Sequence, residues 1–336
     1  MKVGKAQNGK VKAIALLSGG LDSTLAVKLL LEQGVEVEAI NFVTPFCLCR
    51  RGGCGAKEAA EKLNITLKTV NIGLEYLKVL RKPKFGYGRG MNPCIDCRIF
   101  MLKKAKQYAK KVGADFIVTG EVLGQRPISQ HRKALKIIEK EAGLEGKILR
   151  PLSAKLLPKT DAEKKGLVDR QQLLDIKGRS RKRQMTLASQ LNIKDYPCPA
   201  GGCLLTVKEF ASKLRDLFAH RKRISIRDIQ LLKVGRHFRL GENKIIVGRN
   251  EQENRLLLAL KGKWDYYFEA QGCGSPTTLL QGPKRKTAIK KAAELTAYYS
   301  DKKQGEVLVK YGRDRLEKAV KVHIPAKDEV EALRIN

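Results

Sequence analysis

The sequence predicts an α/β protein: a parallel sheet with helical crossovers, followed by a smaller α+β module. From residue 11 to about 150, short β-type apolar runs alternate with stretches of helical spacing, and strands separated by helices pair in parallel with crossovers on both faces. Ser18-Gly19-Gly20-Leu21-Asp22-Ser23 joins the first such run to the first helix. After Thr206 the alternation stops. Residues 11–205 and 206–336 are therefore expected to be separate domains, because 336 residues exceed one core of ordinary size.

The elements follow in order. Residues 13–17 (AIALL) form a short buried strand, and residues 22–33 have helical apolar spacing that stops at Gly34, a helix-ending glycine. A second strand spans 35–43, a helix 56–63, a third strand 65–71, a long basic helix 96–112 and a fourth strand 115–119. Ligands of such sheets sit beyond the carboxyl ends of the strands, so the loop at 18–23, the segment 42–54 and the segment 120–130 should meet in one crevice. Residues 155–183 carry ten Lys and Arg against four Asp and Glu, a solvated helix face or an RNA contact. Beyond Thr206 the pattern gives a helix at 208–220, short strands, a helix at 288–299 and glycine-rich turns.

The chain holds 68 Lys and Arg against 34 Asp and Glu, a formal net charge of +34. A solvated surface does not need two bases for every acid, so a polyanionic partner is expected, RNA or DNA before a membrane. No apolar run approaches the roughly 20 residues that span a bilayer, and the N-terminus lacks the apolar core of a signal peptide. A soluble, cytoplasmic protein with no membrane partner is expected; oligomeric state is not legible. Eight cysteines are too few for a disulfide scaffold, and their grouping as Cys47/Cys49/Cys54, Cys94/Cys97 and Cys198/Cys203 points to chemistry or metal. Cys273, alone, is read as a reduced structural thiol.

A strand, a Ser-Gly-Gly turn and a helix start aim backbone N–H groups and the positive end of a helix dipole at one point, which suits phosphate. The glycines allow close approach, Ser18 and Ser23 add hydroxyl donors, and Asp22 makes sense beside phosphate if it helps bind Mg2+ or orients the reacting group. The loop is neither a Walker loop nor GxGxxG. The plainer alternative is a helix start capped by Asp22 or Ser23.

SGGLDS after a strand resembles the PP-loop of the ATP pyrophosphatase superfamily, over residues 11–206 or so. That resemblance implies an adenine nucleotide alpha hydrolase-like fold and cleavage of ATP to AMP and pyrophosphate with adenylation of an acceptor. It places Ser18, Gly19, Gly20, Asp22 and Ser23 around the ATP phosphates, with Leu16 and Phe42 near the adenine. TGEVLGQRPISQ (119–130) is similar to a segment of tRNA 4-thiouridine synthases, whereas NPCIDCR resembles the cysteine segment of tRNA 2-thiouridylases and cluster-dependent tRNA thiolases. The first similarity adds Gly120 and Gln125 to the nucleotide site. Glu121, Gln125, Ser129 and Gln130 could order Mg2+, ribose or the target base, although a polar loop with a helix cap suits Ser129 and Gln130 equally.

Cys94 and Cys97 stand just before a predicted helix, where its dipole and Arg98 would favour thiolate. Gly201 and Gly202 would let Cys203 approach another segment. Two sulfur mechanisms suit this pattern. In one, Cys97 or Cys203 carries a persulfide that the other resolves; in the other, Cys94, Cys97 and Cys203, or Cys198 as the alternative third ligand, hold a 4Fe-4S cluster with an open iron. Structural zinc is the alternative. Cys47, Cys49 and Cys54 suit a second metal site, part of the first, or thiols near RNA phosphate.

In the second module, IIVGRNEQENRLL, WDYYFEAQGCGSP and KKAAELTAYYSDKKQGEVLVKY lie in the same order as similar segments of NFACT RNA-binding domains, over residues 244–321 or so. The sequence departs from that family at QGCGSPTTLLQG, where a Gly-Ser-His run is usual. Lys284, Arg285, Lys286, Lys290 and Lys291 are read as RNA contacts, Trp264 and Phe268 as core. Together the readings imply an ATP-dependent tRNA sulfurtransferase that makes a thiouridine, with Asp22, Cys97 and Cys203 catalytic and sulfide, a persulfide or a carrier protein as sulfur donor. Its rivals are another PP-loop ligase or amidotransferase acting on RNA with structural zinc, and a non-catalytic RNA- or ribosome-binding protein.

Overall fold

The structure, a computed structural model, describes residues 10–47, 55–193, 196 and 202–336. The chain divides into two compact units, Met1–Thr206 and Val207–Asn336.

In the first unit, β1 (Lys12–Leu16) leads into α1 (Leu21–Leu31) and β2 (Glu36–Val43), then α2 (Ala56–Lys62), β3 (Leu67–Asn71), α3 (Gly73–Arg81) and α4 (Cys94–Lys111). β4 (Phe116–Thr119), α5 (Arg132–Ala142), β5 (Ile148–Leu149), α6 (Asp161–Lys164) and α7 (Lys182–Gln190) complete it. The five strands are parallel, in the order β3-β2-β1-β4-β5. β1 is apolar on both faces because both faces are covered. Ala13 and Ala15 pack with Ala26, Val27 and Leu30 of α1, while Ile14 and Leu16 pack with Ile99, Leu102 and Ala105 of α4. Burying a leucine such as Leu30 or Leu102, each at 0% exposure, contributes about 1.5–3 kcal/mol.

β1 pairs with β2 on one side and β4 on the other, and Leu16 lies opposite both Ile40 and Thr119. The strand order reverses there, so the loops after β1 and β4 open onto the crevice where such sheets bind ligands. One boundary differs from the sequence reading in a way that affects the site: α4 begins at Cys94, so both cysteines lie inside its first turn. The buried Asp96 carboxylate accepts from the amides of Lys84 at 2.8 Å and Phe85 at 3.1 Å, tying that turn to the preceding loop.

The second unit contains α8 (Lys208–His220), α9 (Ile226–Leu231), β6 (Arg236–Leu240), β7 (Asn243–Val247), α10 (Glu251–Ala259), β8 (Tyr266–Ala270) and β9 (Thr278–Gln281). α11 (Lys286–Tyr298), β10 (Glu306–Gly312), β11 (Lys318–His323) and α12 (Lys327–Ala332) follow. Its six strands form an antiparallel sheet, β11-β10-β8-β9-β7-β6, whose core joins Phe238, Ile245, Phe268 and Leu280 to Ala288, Ala292 and Leu295 of α11. Phe268 is fully buried as expected, but Trp264 is 66% exposed, which corrects its reading as core. Strand alternation carried back from Phe268 would turn Trp264 inward. A turn closed by Asp265 N to Gly262 O (3.0 Å) and Gly262 N to Asp265 Oδ2 (2.8 Å) breaks that alternation just before β8. No helix among the described residues is long and apolar enough to cross a membrane.

Candidate nucleotide and thiol site

After β1 the chain turns at Gly19, whose φ of +75° a side chain would strain. Gly20 is the N-cap of α1 without a side-chain cap bond, so neither Asp22 nor Ser23 caps the helix. Ser23 Oγ instead donates to Gly20 O at 2.8 Å and lies 3.2 Å from Ser18 Oγ, bracing the turn. The first-turn amides of a helix have no helical acceptor and carry the positive end of its dipole. An anion is the natural occupant.

Asp22 is positioned from two other segments. Gln125 Nε2 donates to its Oδ2 at 2.8 Å, and Arg181 Nη2 lies 3.6 Å from the same oxygen. Its Oδ1 is enclosed and makes no hydrogen bond, an arrangement that costs about 1–3 kcal/mol for a buried acceptor. A hard cation would relieve that cost, so this oxygen fits Mg2+. Gly120, at the end of β4, lies against the loop: a Cβ there would fall 2.5 Å from Ser23 N and Cα. Leu16 and Phe42 both pack in the core layer beneath α4.

The segment after β4 organises the charge. Glu121, 1% exposed, accepts from Arg150 Nε at 3.0 Å and Thr119 Oγ1 at 3.2 Å and pairs with Arg98 Nε at 3.4 Å. Arg150, also buried, bonds Glu139 as well. Burial pushes the Glu121 carboxyl up, but Arg98 and Arg150 outweigh it and hold it below the usual carboxylate range. Arg126 keeps part of its surface in solvent, yet enclosure, then Arg98 and more weakly Arg181, hold its guanidinium below its ordinary range. Arg126 thus stands within electrostatic reach of both Arg98 and Arg181, and Arg181 in turn approaches Asp22. Gln130 has a structural role: its Oε1 accepts from Arg126 N at 3.0 Å, and its carbonyl accepts from Gly124 N at 2.7 Å. Ser129 is buried at 2% exposure.

The thiols lie in the same unit. Cys203 pairs through its backbone with Cys47, Leu204 N donates to Phe46 O at 2.9 Å, and Met91 N donates to Leu205 O at 2.8 Å. The approach expected of Cys203 is therefore made, onto the segment after β2. Burial pushes its thiol up to about 11, and Cys97, Cys94 and Cys47 act on it in the same direction. Burial likewise raises Cys94 and Cys97, against the opposing pull of Arg98 and Arg126. The expectation that dipole and Arg98 favour thiolate is corrected: desolvation by burial outweighs them at Cys94 and Cys97. Tyr76, buried between Phe46 and Phe100, hydrogen-bonds Cys97.

Among the described residues, no three His, Cys, Asp or Glu side chains are set closely enough to hold a metal as they stand. The donor chemistry of Cys94, Cys97 and Cys203 nonetheless fits zinc or an iron–sulfur cluster, and binding would release their protons. Cys49, Cys54 and Cys198 lie outside the described residues. Cys273 packs against the core of the second unit.

The predicted RNA contacts divide. Lys284 Nζ donates to the carbonyls of Leu280 and Gly282, and Lys291 pairs with Glu294 and Glu329. Arg285, Lys286 and Lys290 are exposed, with distant pairings of 3.8 Å from Arg285 to Glu242 and 3.9 Å from Lys290 to Glu294. Sequence reading missed Tyr76 and Arg126 as site residues. It saw Arg181 only as part of a basic run, since nothing local ties that arginine to Asp22.

The fold and site define a PP-loop α/β unit joined to a basic antiparallel module. Residues 8–156 match the family described as Thiamine biosynthesis protein (ThiI), and residues 235–334 match that described as NFACT protein RNA binding domain. The first unit is accordingly a PP-loop domain of ThiI type, and the second contains an NFACT-type RNA-binding domain. The tRNA-specific 2-thiouridylase MnmA of Pseudomonas savastanoi pv. phaseolicola is 32% identical over 141 residues, 38% of each chain. The protein of that name from Pseudomonas fluorescens (strain SBW25) is 33% identical over 138 residues, 38% of this chain and 37% of the relative. The chain thus spans less than two fifths of the length of these curated relatives. A 4-thiouridine synthetase–RNA complex with bound ATP aligns with 66% of this chain and 52% of that one at 23% identity and a TM-score of 0.34.

Proposed function

We propose that the protein is an ATP-dependent tRNA sulfurtransferase that adenylates a uridine carbonyl and replaces its oxygen with sulfur. The observation that carries this reading is the placing of an anion-binding helix start, an unpartnered Asp22 oxygen and a group of thiols in one unit, with Arg98 and Arg126 acting on the thiols. The first-turn amides of α1, with Ser18 and Ser23, would bind the ATP phosphates, and Asp22 Oδ1 would hold Mg2+ against them. The uridine oxygen attacks the α-phosphorus, its O–P bond forming as the bond to pyrophosphate breaks. Arg181, which approaches Asp22, and Arg126 near it would offset the charge of the departing group. A sulfur nucleophile then adds at the activated carbon, and AMP leaves with the former uridine oxygen.

Cys94, Cys97 and Cys203 would hold a 4Fe-4S cluster, whose contribution is to deliver sulfide; without a cluster, Cys97 and Cys203 would carry and resolve a persulfide. Cys94, Cys97, Cys203 and Cys273 form no disulfide, which fits a reducing, cytoplasmic setting. The test is to incubate oxygen-free protein with bulk tRNA, ATP, Mg2+ and sulfide, then analyse nucleosides, AMP and pyrophosphate. Thiouridine with matching AMP and pyrophosphate is expected. AMP and pyrophosphate without thiouridine would favour another PP-loop chemistry, and neither product would favour a non-catalytic RNA-binding protein.

Gly120→Ala is expected to weaken ATP binding about tenfold, because overpacking costs about 1–3 kcal/mol and the added methyl group would meet the backbone of Ser23. Calorimetric titration with ATP checks this. Unchanged affinity would mean that the loop relaxes without affecting the nucleotide site.

A further inference from the structure

Trp264 is the chain's only tryptophan and is 66% exposed, although its core supplies ample apolar neighbours. A large aromatic side chain left in solvent is informative where its surroundings are organised, and here they are cationic. The Arg313 guanidinium carbon lies 4.7 Å from the Trp264 ring centroid, and Lys263 Nζ lies 5.4 Å from it. Two residues further on, Lys284 Nζ lies 5.3 Å from the Tyr266 ring centroid, and Arg313 is close enough to act electrostatically on Lys284. The carbonyls of Leu280 and Gly282 fix Lys284, and the Asp265 turn holds Trp264 outward. From Thr206 onward the chain has 29 Lys and Arg against 16 Asp and Glu, so this aromatic surface lies in a basic module.

We infer that Trp264, with Arg313, forms a stacking platform for an unpaired RNA base, while Lys263 holds the adjoining phosphate and Lys284 braces the neighbouring Tyr266 ring. An indole and a guanidinium both offer planar faces on which bases stack without regard to sequence, and ammonium groups follow the backbone. A paired helix keeps its bases inside the stack and offers this platform nothing, so the ligand class is single-stranded RNA: a loop, a bulge or an end. The inference deepens the reading of this module as RNA-binding and rests on it.

The lone tryptophan reports directly. Titrating the 336-residue chain with an oligouridylate of about 12 nucleotides, enough to cover one binding site, should quench its fluorescence saturably, whereas heparin, a polyanion without bases, should bind with little quenching. Trp264→Ala should lower oligouridylate affinity about tenfold, as measured by anisotropy of a labelled oligonucleotide, since base–aromatic stacking contributes about 1–3 kcal/mol per base. Trp264→Phe should recover part of that loss, and Arg313→Ala should weaken binding of oligouridylate more than binding of heparin. Unquenched binding by the native protein, or undiminished affinity in Trp264→Ala, would overturn the platform and leave the RNA-binding reading intact. Failure of the native protein to bind either oligouridylate or a folded tRNA would overturn both.

Discussion

Asp22→Ala is expected to suppress release of pyrophosphate from ATP by about a hundredfold to a thousandfold, the scale of removing one preorganised electrostatic group from a phosphoryl-transfer site. Its affinity for tRNA should stay near that of the native protein. The two oxygens of Asp22 have different surroundings, and the proposed function gives each its own role. Its Oδ2 joins Gln125 and Arg181, drawing the segments after β4 and before α7 onto the loop after β1. Its Oδ1, enclosed and unpartnered, is the oxygen suited to a cation. Asp22→Asn tells these apart, because an amide oxygen can still accept from Gln125 but supplies no charge to Mg2+. If both variants lose turnover, the charge is what matters; an active Asp22→Asn would make the residue a brace. Alanine would also leave Arg181 without its partner near Arg126, so ATP itself can still bind well while turnover falls. A parallel fall in tRNA affinity, measured by filter binding, would refute the division of labour between nucleotide site and RNA-binding module.

The parallel sheet was legible because β1 is apolar at every position from Ala13 to Leu16, which only a doubly covered strand requires. The turn between β1 and α1 was legible because its glycines and hydroxyls are contiguous. The rest of the site was not, because it is assembled across the sheet. Gln125 reaches Asp22 from 103 residues away, and Arg181 arrives from a basic run indistinguishable in sequence from a solvated face. Tyr76 lies on the buried face of an amphipathic helix, where it reads as core, and only packing between Phe46 and Phe100 brings it to Cys97. Two misreadings share one cause, a local rule overridden by tertiary context. A CxxC at a helix start suggests thiolate, but burial dominates at Cys94 and Cys97. A large aromatic beside a strand is ordinarily core, but the Asp265 turn leaves Trp264 outside.

Cys97→Ser and Cys203→Ser are each expected to leave ATP cleavage nearly intact and to reduce thiouridine formation about a hundredfold or more, since even indirect supports of a metal site cost about 10–100-fold when removed. Both residues matter in either sulfur mechanism, so these variants establish the thiols without choosing between mechanisms. Cys94→Ser makes the choice. In the cluster arrangement Cys94 is a ligand, and its loss should strip iron and sulfide from protein purified without oxygen along with the thiolation activity. In the persulfide arrangement only Cys97 and Cys203 exchange sulfur, and Cys94→Ser should remain active. Iron and sulfide present in the native protein and lost together in all three variants is the expected result; tightly held zinc in their place would make these cysteines structural and remove them from sulfur transfer.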